Sequence, residues 1–282
     1  MITLDDVRSR IDSLSEAERQ KVLSLVPIAF PEVLSQPAPL AAQWQRQNYP
    51  LIAFVKDAWP HIEPHVYTDG WHIEAICRHL EAVTETAIGN EQSPYPKIRN
   101  LLINIPPRTS KSIIASVLWP AWVWISWPEC RFLYTSYSVD LSVRDAVKCR
   151  QLMMTEWYQA LWGDQWRLTT DQNIKSYYAN NQGGYRISTS VTGKATGFGG
   201  DIIVGDDCHE TTEDLSVTRA EIETAKGHWL TAIPSRVTDP NRACKVLIGQ
   251  RVATDDVSDA VLNLELEGAY RYVHLNIPME YD

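Results

Sequence analysis

The sequence has little that would carry it across a membrane or staple it with disulfides. No apolar run approaches the roughly 20 residues that a bilayer span requires, and the opening MITLDDVRSR has neither the basic nor the apolar stretch of a secretory signal. Both absences lead to the expectation of a cytosolic protein with no membrane partner. Only five cysteines occur, Cys77, Cys130, Cys149, Cys208 and Cys244, widely scattered and without a CxxC pair. No pairing there suggests zinc or a redox dithiol, and reduced thiols in the core are the expectation. Positive charge is also scarce, with 26 Lys and Arg against 35 Asp and Glu and a net charge of −9. A surface wholly devoted to gripping nucleic acid is excluded, because tight phosphate binding works through many Lys and Arg contacts. A motor that touches DNA through one loop is not. No internal repeat, low-complexity tail or HExxH pattern is found, and His61 and His65 are separated by Pro64, a poor arrangement for zinc.

What is present is an ordinary globular composition. With 282 residues, 44% hydrophobic and 22% charged, the chain can bury one large α/β domain or two small ones. The 11 Trp, four of them at Trp119, Trp122, Trp124 and Trp127, point to a bulky core.

Periodicity divides the chain. Leu4, Val7, Ile11 and Leu14 repeat at helical spacing, and Ser15-Glu16-Ala17-Glu18 fits a capping box, so residues 1–60 are expected to form a helical appendage, broken by Pro27, Pro31, Pro37 and Pro39. Helices are expected over Leu51–Trp59 and Trp71–Thr84. From residue 98 strands and helices alternate, which favours a mostly parallel sheet flanked by helices. Strands are expected at Ile98–Ile105, Arg131–Tyr137, Arg186–Ser190, Ile202–Val204, Lys245–Gly249 and Tyr270–Asn276, and helices at Lys111–Ser126, Asp140–Met154, Val217–Trp229 and Asp255–Leu266.

Two segments carry chemistry. Strand Leu101–Ile105 runs into Pro106-Pro107-Arg108-Thr109-Ser110-Lys111-Ser112 and then a helix, the arrangement in which backbone N–H groups and a helix N-terminus meet phosphate oxygens. A Lys there reaches β- and γ-phosphates and a Ser ligates magnesium. Ile105 and Ser110 stand where the usual pattern has glycine, so the segment alone reads equally well as a lysine at an ordinary helix start. About ninety residues on, Asp201-Ile202-Ile203-Val204-Gly205-Asp206-Asp207 is an apolar strand ending in two carboxylates, one able to hold magnesium and the next to orient water. Taken alone it also reads as an exposed acidic turn. The flanking Gly193-Lys194-Ala195-Thr196-Gly197-Phe198-Gly199-Gly200 is a loop able to approach a ligand or to connect two strands.

With these segments in order, the chain resembles the ATPase domain of the large terminase subunit, the DNA-packaging motor of tailed bacteriophages. The resemblance rests on INIPPRTSKSIIASVLWPAWVW, ATGFGGDIIVGDDCHE and KVLIGQRVATDDVSDAVL and covers roughly residues 65–282. It implies an ASCE-type P-loop NTPase fold with ATP and Mg2+ bound. In that reading Pro107, Arg108, Thr109, Ser110, Lys111, Ser112 and Ile113 form the nucleotide loop, and Ser112 and Asp206 hold the cation. Asp207 is then the catalytic carboxylate, with Glu210 as fallback; Arg108 stabilises transition-state charge, and Gln250 contacts the γ-phosphate or the attacking water. Trp71 and His72 lie near the adenine, where the family often has Gln. An exposed Arg108 without phosphate contact and a Gln250 that merely caps its strand are the plain alternatives. Arg251 has Asp255 and Asp256 as candidate partners, and Arg144, Lys148 and Arg150 either face DNA or form a solvated helix face.

The resemblance also implies double-stranded DNA, a portal protein, a small terminase subunit and further copies of the chain in a ring as partners, in the host cytoplasm. Residues 61–282 are expected to be the ATPase domain, and the nuclease domain typical of the family is expected to be absent from this chain. A different P-loop enzyme, such as a helicase or small-molecule kinase, and a non-hydrolysing assembly subunit with a decayed loop remain as rival classes.

Overall fold

A computed structural model describes residues 49–193, 197–210, 217–266 and 271–278. The expectations for residues 1–48, including the Ser15–Glu18 capping box, and for Lys194-Ala195-Thr196 lie outside these residues.

Eight strands form one sheet in the order β3-β4-β5-β2-β6-β7-β1-β8. The strands are β1 (Asn100–Asn104), β2 (Arg131–Ser136), β3 (Leu168–Ile174), β4 (Tyr177–Asn180), β5 (Tyr185–Ser190), β6 (Ile202–Asp206), β7 (Cys244–Gly249) and β8 (Val273–Asn276). From β5 to β8 every neighbouring pair is parallel; β3 and β4 add an antiparallel hairpin at one edge. The central strands read as unbroken apolar runs because both of their faces are covered. On one face Leu101, Ile103, Phe132, Tyr134, Ile202 and Val204 meet the larger cluster of helices, while Leu102, Leu133 and Ile203 meet the other.

The larger helical layer holds α1 (Leu51–Ala58), α2 (Trp71–Ile88), a π-helical turn (Ile113–Leu118) that runs into α3 (Trp119–Ser126), α4 (Val139–Met153) and α5 (Glu156–Trp162). Trp119, Trp122 and Trp124 are buried there, as their crowding in the sequence suggests. Opposite lie α6 (Arg219–Gly227), a second π turn (His228–Ala232) and α7 (Val257–Leu266). Thr218 and Glu221 start α6 with a reciprocal capping box. All five cysteines are free and buried. No helix among the described residues is long and apolar enough to cross a membrane.

Several elements differ from the sequence reading. α2 runs to Ile88, one turn beyond the expected end, and stops at Gly89 with φ +81. α6 stops at Gly227, where the chain widens into the second π turn rather than continuing as an α-helix. α5, β3 and β4 were not legible as elements in the sequence.

Candidate phosphate and metal site

The parallel strands place the ends of β1, β2, β6 and β7 on one side, where α/β sheets bind ligands. The end of β1 is tied down on both flanks. Ile105 N donates to Gly249 O (3.1 Å), and Ile277 N donates to Asn104 O (2.8 Å). Buried Asn104 donates to Ser258 Oγ (3.0 Å) and lies 2.8 Å from His274 Nε2.

Beyond this anchor the loop takes an unusual course. Arg108 has φ +63 and Ser110 φ +62, while Thr109 between them stays out of the left-handed region. Alternation of this kind turns successive amides toward one concavity, a nest suited to anions. Among the described residues the amides of Arg108, Thr109 and Ser110 have no acceptor. Thr109 Oγ1 braces the loop by donating to Pro106 O (2.8 Å). Ser110 therefore keeps the backbone conformation for which glycine is the usual choice.

The helix that follows delivers Lys111, Ser112 and Ser116 to the carboxylates of β6. Ser112 Oγ donates to Asp206 Oδ1 (3.0 Å) and Ser116 Oγ to Asp206 Oδ2 (2.6 Å). Lys111, itself buried, pairs with Asp207 Oδ2 at 2.9 Å. Burial and then the charge of Asp207 push the Asp206 carboxyl up to about 7, against the opposing pull of Ser116 and Lys111. Asp207 sits at φ +46. Its N–H donates to Ile248 O (2.9 Å) and its carbonyl accepts from Tyr137 N (3.0 Å). A Cβ at Gly249 would come within 3.0 Å of Asp207 Oδ1, so this glycine leaves room for the carboxylate.

Gln250 follows β7 and, with Asp207, His209, Gly249 and Ser258, lines a cavity of about 10 Å³, the room of a single water. His209 Nε2 accepts from Val257 N at the start of α7 (3.1 Å), which puts the ring proton on Nδ1. Burial lowers the pKa of His209 and favours this neutral form. Arg251 pairs with Asp256 at 2.9 Å, and fully buried Asp256 also accepts from Val252 N (3.0 Å) and Asp259 N (3.1 Å). The segment after β7 is thus fastened to α7.

Lys111, Ser112, Asp206 and Asp207 come together, and Gln250 shares a small cavity with Asp207; the side chains of other candidates do not join them. Arg108, Pro107 and Glu210 are exposed, and Arg108 has no hydrogen bond or ion pair among the described residues. Ile113 is half-buried and packs against the core. Trp71 is 53% exposed at the start of α2, its ring edge-on to His72 at 6.3 Å. Lys148 is occupied by Glu63, and Arg150 donates to Asn173 Oδ1 (2.6 Å). Sequence reasoning passed over Ser116, Arg186 and Tyr134. The only signal for Ser116 was its position four residues after Ser112, on the same side of a helix.

The donor set fits magnesium. Ser112 and Asp206 offer hard oxygens, and this ion commonly takes one or two protein ligands and completes its shell with water and phosphate. Among the described residues no group of three or more His, Cys, Asp or Glu could hold a metal without such help.

The fold is α/β, a mostly parallel sheet flanked by helices, with a loop carrying two positive-φ residues leading from β1 into a helix. Solved structures that it resembles include large terminases. One from the thermophilic bacteriophage D6E matches with a TM-score of 0.45 and 12% identity over 72% of this chain and 45% of the terminase. Its complexes with ADP and with ATP-γ-S match with a TM-score of 0.39 each, at 10% and 14% identity. This chain thus spans less than half the length of the terminases it matches. No protein-family model and no curated protein matches the sequence.

Proposed function

We propose that the chain is the ATPase motor of a viral large terminase, hydrolysing Mg-ATP to drive double-stranded DNA into a procapsid. The observation that carries this reading is the meeting of Ser112 with Asp206 at 3.0 Å, across 94 residues of sequence, beside a loop whose amides are free. It joins the two segments on which the sequence resemblance rests. In this reading the motor domain takes in α1, whose Leu51, Phe54 and Val55 belong to its core, and so begins near residue 49 rather than 61, with residues 1–48 its appendage. Its partners are DNA, the portal protein, the small terminase subunit and neighbouring copies in a ring in the host cytoplasm.

The chain's own groups divide the work. The amides of residues 108–110 bind phosphate oxygens, and Lys111 exchanges Asp207 for the β- and γ-phosphates. That exchange frees the Asp207 carboxylate to orient the attacking water, with Gln250 beside it as a second hydrogen-bonding group. Ser112 and Asp206 would hold Mg2+, which when bound offsets phosphate charge. Arg108, at the exposed rim, supplies positive charge to the transition state on turning inward, or leaves that task to an arginine from a neighbouring subunit. Trp71 and His72 offer an aromatic face and a polar group to the base.

The test is a titration with fluorescent ATP and ADP analogues together with an ATPase assay, alone, with DNA, and with portal and procapsid. Lys111→Ala and Asp206→Ala are expected to reduce turnover by at least about 100-fold. Unchanged binding and hydrolysis in both would sink the reading, and an absence of nucleotide binding by the wild type would favour the assembly-subunit alternative.

A further inference from the structure

The helix behind the site carries Pro120 near its middle, where the missing N–H would leave a carbonyl unpaired in the core. Before it the helix widens. Trp119 N donates five residues back, to Ile114 O, and two groups from the sheet reach the carbonyls of the same turn. Tyr134 Oη donates to Ala115 O (2.8 Å), and Arg186 Nη2 donates to Ser116 O (3.1 Å). Arg186 is only 1% exposed and has no ion pair among the described residues. Its guanidinium lies over the Tyr134 ring at 4.1 Å, and Nη1 donates to Ser188 Oγ (2.9 Å). Burying a charge this way is costly and calls for a return elsewhere. Ser116 is the one residue of this turn that reaches the carboxylate, through the 2.6 Å bond to Asp206 Oδ2.

We propose that Ser116 is a positioning residue for Asp206, and that Arg186 and Tyr134 hold Ser116 in place through the carbonyls of the π turn. Ser116 occupies one carboxylate oxygen, which orients the oxygen shared with Ser112 toward the cation. The proposal rests on Asp206 being a metal ligand, as the motor reading has it.

The experiment uses Mn2+ as a spectroscopic stand-in for Mg2+, titrated against the full chain with ADP by EPR, alongside metal-free binding of a fluorescent ADP analogue. Ser116→Ala is expected to weaken Mn2+ binding about 10-fold, the usual cost of losing a group that orients a ligand. Metal-free ADP binding should stay within about 2-fold of wild type. Ser116→Thr, which keeps the hydroxyl, should recover most of the loss. Tyr134→Phe keeps the ring under Arg186 and should shift Mn2+ binding the same way by a smaller factor. If Asp206→Ala abolishes Mn2+ binding while Ser116→Ala matches wild type, the positioning role is overturned and the motor reading stands. If wild type takes up no Mn2+ with ADP, the metal site falls and the positioning role with it.

Discussion

At the scale of single residues, the site is built from groups placed at a cost to stability. Ser110 holds φ +62, a region where a side chain costs about 1–2 kcal/mol, while glycine would give back part of that gain as unfolded-state entropy. Ser110→Gly is therefore expected to raise the melting temperature by about 2 °C, readable by calorimetry. Asp206 is a second case. Its carboxyl is pushed up to about 7 from 3.8, so between those values the folded state holds more protons than the unfolded one. Stability must then fall as pH rises through this window and stay low above it. Asp206→Asn removes the ionisation, and without metal the variant should gain on wild type by about 1–3 kcal/mol between pH 4 and pH 8. Denaturant melts at the two pH values check this; a constant difference would contradict it. Lys111 offsets part of the same strain through Asp207, a pairing that two adjacent acids at a strand end called for.

At the scale of elements, the buried parallel strands were the most legible, because β1, β2, β6 and β7 are short apolar runs bounded by turn residues. The edge hairpin was not. β3 reads Leu-Thr-Thr-Asp-Gln-Asn-Ile, with no apolar alternation, and its register against β4 shifts between Leu168 and Asn173. Pairing to β4 makes it a strand, and pairing is tertiary information. α5 was missed because seven residues give little periodicity; Thr155, accepting from Tyr158 N, and contacts of Tyr158 and Trp162 with Phe54 hold it. The Gly205 interruption in β6 also has its reason across the sheet, since a Cβ there would lie 2.6 Å from the Trp229 ring. Trp229 comes from the second π turn, which no local signal announced.

At the scale of the whole molecule, a net charge of −9 leaves few places for DNA. For the proposed motor one candidate is a groove of about 490 Å³ along α4, bordered by Arg144, Lys148 and Lys175 and also by Asp140. Lys148 is already committed to Glu63, whereas Arg144 and Lys175 are exposed, Arg144 with Asp145 at 2.9 Å as its partner. Under the motor reading, Arg144→Ala and Lys175→Ala should each lower the slope of log affinity for duplex DNA against log salt by about 1, and Lys148→Ala by less. Filter binding over a range of salt concentrations measures this. An unchanged slope in both Arg144→Ala and Lys175→Ala would place the DNA elsewhere.

The alternation of strands and helices, the buried thiols and the two candidate site segments are legible in the sequence, because each depends on residues close in the chain. It could not decide whether Lys111-Ser112 was a phosphate loop or an ordinary helix start, nor whether Asp206-Asp207 was a site or a surface turn. The fold brings the two segments together, through Ser112, Ser116 and Asp206, and gives Ser110 a backbone conformation for which glycine is the usual choice. Sheet order brings this about. β7, from much later in the chain, lies between β1 and β6 and sets the spacing at which a hydroxyl can donate to the carboxylate.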